Sequence, residues 1–254
     1  MYVREFAPRD PEVVQALARA LSEPAQRIRP IPLSDGRRLW LKRAEHLSGL
    51  MRLQKGDPAK GFRTERDALL ALKGRGLPVA EPEAAGEDYL LLPDLGVTLS
   101  EMLDDETVSE AERMRAFRAA GAALAVLHQA GLSHGRPAIR DMCWDGKALH
   151  LIDLERFEDR PRSRKALALD VMIFVHSWFA RRRGQGRGAE LDAAIQSYLA
   201  AAPEGIGTEI AGLLAWVARP VAGLARLVLA LKPKARDWLA IDGTLRYLRQ
   251  TFGD

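Results

Sequence analysis

Apolar residues recur along this chain in two rhythms, and the rhythm changes near residue 95. Before that point short alternating runs dominate. Asp10-Pro11 opens a short helix with Val14, Leu17 and Leu21 on one face. Residues 28–42 read as a hairpin: Ile31 and Leu33, a Ser34-Asp35-Gly36 turn, then the strand Arg38-Leu39-Trp40-Leu41-Lys42. Residues 43–61 are polar and irregular, and residues 62–73 form a helix with Ala68, Leu69 and Leu72 inward, ended by Gly74. Pro78 and Pro82 bracket an extended piece, Tyr89-Leu90-Leu91-Leu92 is a buried strand, and Pro93-Asp94-Leu95-Gly96 is a linker.

From Leu99 onward the period is helical. Ser109-Glu110-Ala111-Glu112 reads as a capping box. The helix it starts places Met114, Phe117, Gly121, Leu124 and His128 on one side, and Gly131 stops it. Two short strands flank Asp145-Gly146, where Asp145 is a turn former. Residues 167–180 are apolar but contain Asp170 and His176, which predicts a buried helix. Residues 210–231 are interrupted by Arg219, Pro220 and Arg226, with Leu213, Val217, Val221, Leu224, Val228 and Leu231 on one stripe. The stripe either faces the core or, with Lys232, Lys234 and Arg236 behind it, rests on an anionic membrane. Strands early and helices late predict an α+β fold, divided into residues 1–93 and residues 94–254.

Composition narrows the class. The chain has 254 residues, 47% of them hydrophobic and 28% charged, as in a compact globular enzyme. One cysteine, Cys143, excludes an internal disulfide framework and a cysteine metal cluster. The N-terminal residues lack the apolar core of a signal peptide, so the expectation is a cytoplasmic protein, with peripheral contact at the inner membrane surface if the basic helix is used. The formal net charge is +4, with arginines gathered at 160–164 and 181–187. No aromatic residues interleave them as a base-stacking platform would require, which argues against nucleic acid.

The candidate chemistry lies in Ser133-His134-Gly135-Arg136-Pro137-Ala138-Ile139-Arg140-Asp141 and in Leu151-Ile152-Asp153-Leu154-Glu155. An amphipathic helix precedes the first segment. With Lys42 at the end of Leu39-Trp40-Leu41-Lys42, these segments resemble the protein-kinase-like superfamily over about residues 28 to 180. Within it the chain is most similar to small bacterial kinases of lipopolysaccharide core sugars (Kdo or heptose kinases) and to RIO-type kinases. The resemblance implies a bilobal fold, with an antiparallel-sheet N-lobe and a mainly helical C-lobe. It also implies ATP with Mg²⁺ or Mn²⁺ as cofactors, and a sugar, glycolipid or other anionic acceptor.

Family roles then fall on particular residues. Asp153 matches the principal metal ligand. Asp141 stands where kinases use Asn to hold metal, and it supplies another oxygen suited to a hard cation. Lys42 is expected to meet the α- and β-phosphates, with Glu65 as its partner and Glu45 as a competitor too close in sequence to lie on a separate helix. His134 packs and holds the loop, and Asp170 resembles the helix acid that anchors the loop backbone. His128 and Cys143 read as core.

Two departures stand out. There is no Gly-x-Gly-x-x-Gly before Lys42, so Ser34-Asp35-Gly36 covers the phosphates alone. The family's His-Gly-Asp is His134-Gly135-Arg136 here, and a guanidinium cannot take a proton. A general base is worth about 10²–10⁴-fold, while positioning and charge neutralisation carry most of phosphoryl transfer. Arg136 is therefore either a catalytic-site residue that grips an anionic acceptor, the γ-phosphate or Asp141, or the mark of a nucleotide-binding pseudokinase with a regulatory role.

Overall fold

The computed structural model describes residues 6–44, 58–181 and 188–253. Expectations that concern Glu45 or arginines 182–187 lie outside the described residues. The fold is α+β with small antiparallel sheets, and the chain divides into two compact units. The first comprises residues 1–96 and 152–159, the second residues 97–151 and 160–254.

In the first unit, helix α1 (Pro11–Ser22) starts at the Asp10 side chain, which accepts the Glu12 backbone N–H at 2.9 Å. Its buried stripe is Val13, Ala16, Leu17 and Ala20, while Val14 is exposed. This rotates the helix from the expected Val14-Leu17-Leu21 face. Two alanines on the inner stripe allow close approach to the sheet, and pattern reading underweights such small residues. Strands β1 (Ile28–Pro32) and β2 (Arg38–Arg43) pair antiparallel with Ile31 opposite Leu39, closed by a turn in which Gly36 adopts φ 86°. With β3 (Ala84–Ala85) and β4 (Tyr89–Pro93) they form a sheet ordered β1-β2-β4-β3. Val13, Leu17, Ile31, Leu39, Leu41 and Leu91 share one core. Helix α2 (Pro58–Leu72) begins before the expected residue 62. Pro58-Ala59-Lys60-Gly61 carries no apolar period, but Pro is favoured in a first helical turn.

The second unit holds a small sheet, ordered β5 (Val97–Thr98), β6 (Met142–Trp144), β7 (Leu149–Leu151). Its helices are α3 (Leu99–Asp104), α4 (Glu110–Gln129), α5 (Arg164–Arg181), α6 (Ala189–Ala201), α7 (Ile206–Leu231) and α8 (Arg236–Phe252). The reciprocal capping box belongs to α3, where Thr98 and Glu101 satisfy each other's backbone. At α4 the Ser109 hydroxyl accepts the Glu112 N–H, but the Glu112 carboxylate receives the Trp144 indole N–H at 2.5 Å. The expected box is thus half spent on tying α4 to β6. In the β6–β7 turn, Asp145 accepts the N–H groups of Lys147 and Ala148, both at 2.7 Å. Burial works to raise its pKa, but those bonds and His150 outweigh burial and hold it at about 2.

Helix α7 runs through Pro220 unbroken, and its buried positions are Ile206, Ile210, Leu214, Ala218 and Ala225. The large residues Leu224 and Leu231 of the expected stripe point to solvent instead. Among the described residues α7 is the one helix long and apolar enough to cross a membrane. Between α4 and α6 the backbones nearly touch, because a Cβ on Gly121 would lie 1.9 Å from the Ala194 carbonyl oxygen. Gly121→Ala must therefore push two helices apart. Urea unfolding should show a loss of about 1–3 kcal/mol or more, and an unchanged midpoint would contradict this packing.

Candidate functional site

The first unit gathers a set of charges at one place. Along β2 the side chains alternate, so Leu39 and Leu41 enter the core while Lys42 emerges on the other face. Its ammonium forms an ion pair with Glu65, which α2 carries in an almost wholly buried position. Donor atoms of Glu65, Asp153 and Glu155 all lie within 4.8 Å of one another. Gly61, one turn before Glu65, makes room for this, since a Cβ there would stand 3.2 Å from the Glu155 carboxylate.

Asp153 lies two residues past the end of β7, with φ 63°. That is left-handed backbone, outside the strand. Asp tolerates this conformation better than most residues, and the turn redirects the chain as it leaves β7.

Burial raises the pKa of Glu65, the Lys42 ammonium lowers it, and the charges of Asp153 and Glu155 raise it again, with a net shift upward. Three oxygen donors, one driven toward protonation by burial and by the other two, match the preference of a hard divalent cation. Such an ion would relieve the repulsion that now falls on Glu65.

The second unit arranges the Ser133–Asp141 segment. Asp170 projects from α5 with almost no exposure and accepts from the Ser133 hydroxyl at 2.8 Å, the His134 N–H at 2.7 Å and the Gly135 N–H at 3.0 Å. A buried carboxylate needs such donors, and in meeting that need it fixes the loop backbone. Its Oδ2 is also 3.4 Å from His128 Nε2, whose other ring nitrogen is 2.9 Å from the Tyr198 hydroxyl. His128 is thus a satisfied core residue. Burial, with the charge of Asp170, pushes the Tyr198 hydroxyl pKa up. His134 is buried, and its ring accepts the Arg136 N–H at 3.4 Å. A single 3₁₀ turn, Ile139–Asp141, delivers Asp141 buried beside the Arg140 guanidinium at 3.6 Å.

Arg136 lines a cavity of about 370 Å³ together with Arg140, Ser177, His176, Arg181 and Asp237. Arg181 is held by the Ser100 hydroxyl and by Asp104. Burial lowers the His176 pKa against the opposing pull of Asp237. Sequence reading passed over the wall of this cavity. Its signal was the α5 spacing Ile173, His176, Ser177, Ala180, Arg181, which is one helical face. Of the five residues singled out from the sequence, Lys42, Glu65 and Asp153 come together in the first unit. Arg136 and Asp141 belong to the second.

No protein-family model matches the chain. A Haemophilus influenzae protein described only as "Uncharacterized protein" is 34% identical to it over 146 residues. The match covers 56% of this chain and 59% of that protein, so the chain spans less than two thirds of this relative's length.

Glu65 makes a prediction about pH. Its pKa is raised above the ordinary 4.5, so the folded state holds a proton that the unfolded chain has already released. Its contribution to stability is then full below about 4.5 and lost as pH rises through the folded value. Glu65→Gln should remove that part of the pH–stability curve. If urea midpoints of parent and variant run parallel across mildly acidic pH, Glu65 is not held as described.

Proposed function

We propose that this protein is a bilobal, kinase-like phosphotransferase that uses ATP with Mg²⁺ or Mn²⁺, its sheet-bearing unit and its helical unit serving as the two lobes. The observation that carries the reading is the Lys42–Glu65 ion pair, its carboxylate buried, set beside Asp153 and Glu155. A half-buried lysine fixed by a helix glutamate next to these acids suits triphosphate and cation together. Asp170 supports the reading independently, because it clasps the backbone of the Ser133–Gly135 loop.

Lys42 meets the nucleotide phosphates, and Asp153, with Glu155 beside it, holds the cation. When bound, that cation neutralises charge on the phosphates. The acceptor is a hydroxyl on a sugar, glycolipid or other anionic molecule. Its oxygen forms the new bond to the γ-phosphorus, and the bond from that phosphorus to the bridging oxygen of ADP breaks. The hydroxyl proton leaves to solvent, since Arg136 cannot accept it. Arg136, Arg140 and Arg181 around one cavity favour an acceptor with negative charge near its hydroxyl. The second reading is a nucleotide-binding pseudokinase, and the observation favouring it is Arg136 at the position of the family's base.

Two measurements test this. ATP with Mn²⁺ at one hundred times its Kd should stabilise the parent by about 2.7 kcal/mol, and Lys42→Ala and Asp153→Ala should lose that response. An equal response in all three proteins would displace the site. ATP turnover with anionic sugar acceptors should fall about 10²-fold in Arg136→Ala and should not recover in Arg136→Asp. Transfer that appears only in Arg136→Asp would instead mark a decayed kinase.

A further inference from the structure

The outward face of α7 is apolar where a soluble helix is usually polar. Trp216 is 78% exposed, Leu224 50%, Leu227 62% and Leu231 78%. With Pro220, these residues fall on one stripe at helical spacing. The opposite stripe, Ile210, Leu214, Ala218 and Ala225, is buried, and α7 packs on α5 and α8. The exposed stripe is therefore not spare core; its helix already has a core face.

Beside the stripe lies a basic groove between α7 and α8. Arg219 and Arg226 enter it from α7, Arg246 and Arg249 from α8, with Asp242 the acid among its lining residues. No ion pair is found at any of the four arginines among the described residues. Lys232 and Lys234 follow the stripe directly and are exposed.

We infer that this face docks on an anionic lipid bilayer, with α7 lying in the plane of the interface. The apolar stripe enters the acyl boundary, and Trp216 sits at the level where an indole finds both apolar chains and water. The guanidinium groups of the groove meet lipid phosphates, which they fit in charge and in fork geometry. A crossing orientation fails, because α7 is packed sideways against its own unit and carries Arg219 and Arg226 on its flank. A second copy of the chain fits less well, since a symmetric contact over the stripe would bring like-charged flanks together. This inference does not depend on the phosphotransferase reading. The two together would place an acceptor embedded in the bilayer.

The test is sedimentation of the full chain with vesicles. One set is phosphatidylcholine alone, the other an equimolar mixture with phosphatidylglycerol. The parent should bind the mixed vesicles and not the neutral ones. Trp216→Ser with Leu227→Ser should weaken binding at least about tenfold, with an unchanged melting temperature because both side chains face solvent. Arg219→Gln with Arg226→Gln should weaken binding to mixed vesicles, and raised salt should act in the same direction. The inference is overturned if the parent ignores the mixed vesicles or if binding survives the Trp216/Leu227 change. It is also overturned if the parent forms a dimer that this change dissolves, for then a second copy covers the face.

Discussion

A carboxylate taken out of water must be met by donors, and that requirement organises both units. Glu65 and Asp170 are the most deeply buried acids among the described residues. Each is neutralised in a different way. Glu65 receives one ammonium, that of Lys42, and its pKa stays raised because burial and two further acids act against the pair. Asp170 receives a hydroxyl and two backbone N–H groups, with His128 at the edge. The first arrangement leaves Glu65 with burial and the charges of Asp153 and Glu155 acting against the pair. The second is complete, and it clasps the loop that carries Arg136 and leads to Asp141.

Groups that hold the loop are thus distinct from the acidic cluster beside Lys42. Asp170, His128 and Tyr198 form a buried chain whose removal would leave unsatisfied donors, each costing about 1–3 kcal/mol. They explain why a loop containing Gly135 in the left-handed region keeps one shape. Lys42, Asp153 and Glu155 are only partly buried. Arg136 stands at the wall of a cavity whose other cations come from the 3₁₀ turn and from α5. Arg136, Arg140 and Arg181 together make that cavity basic.

Much of this could be read in the sequence where a local rule decides the outcome. Gly36 and Asp145-Gly146 mark turns by φ and by hydrogen bonding, and Gly131 ends α4 in the left-handed region. Lys42 and Glu65 could be paired because a strand end and a helix face fix where each side chain goes. Facing was harder. In α1 and α7 the inner stripe is rich in alanine, so the large residues that dominate a periodicity reading lie partly on the wrong side. The start of α2 hid in a polar stretch, and the α3 capping box at Thr98 was present in the sequence but overshadowed by Ser109. The left-handed turn at Asp153 has no sequence mark beyond the tolerance of Asp for it. The wall of the Arg136 cavity assembles from α5, a 3₁₀ turn and α8, which only tertiary structure brings together.

If Lys42 and Asp153 belong to one metal–nucleotide site, crystals of the full chain grown with Mn²⁺ and a non-hydrolysable ATP analogue will show it, because manganese is located by its own anomalous scattering. Manganese is expected on the carboxylates of Asp153 and Glu155, with the analogue's phosphates at the Lys42 ammonium. Manganese and phosphates bound away from Asp153 and Lys42, or no ordered nucleotide at saturating concentration, would contradict a shared site.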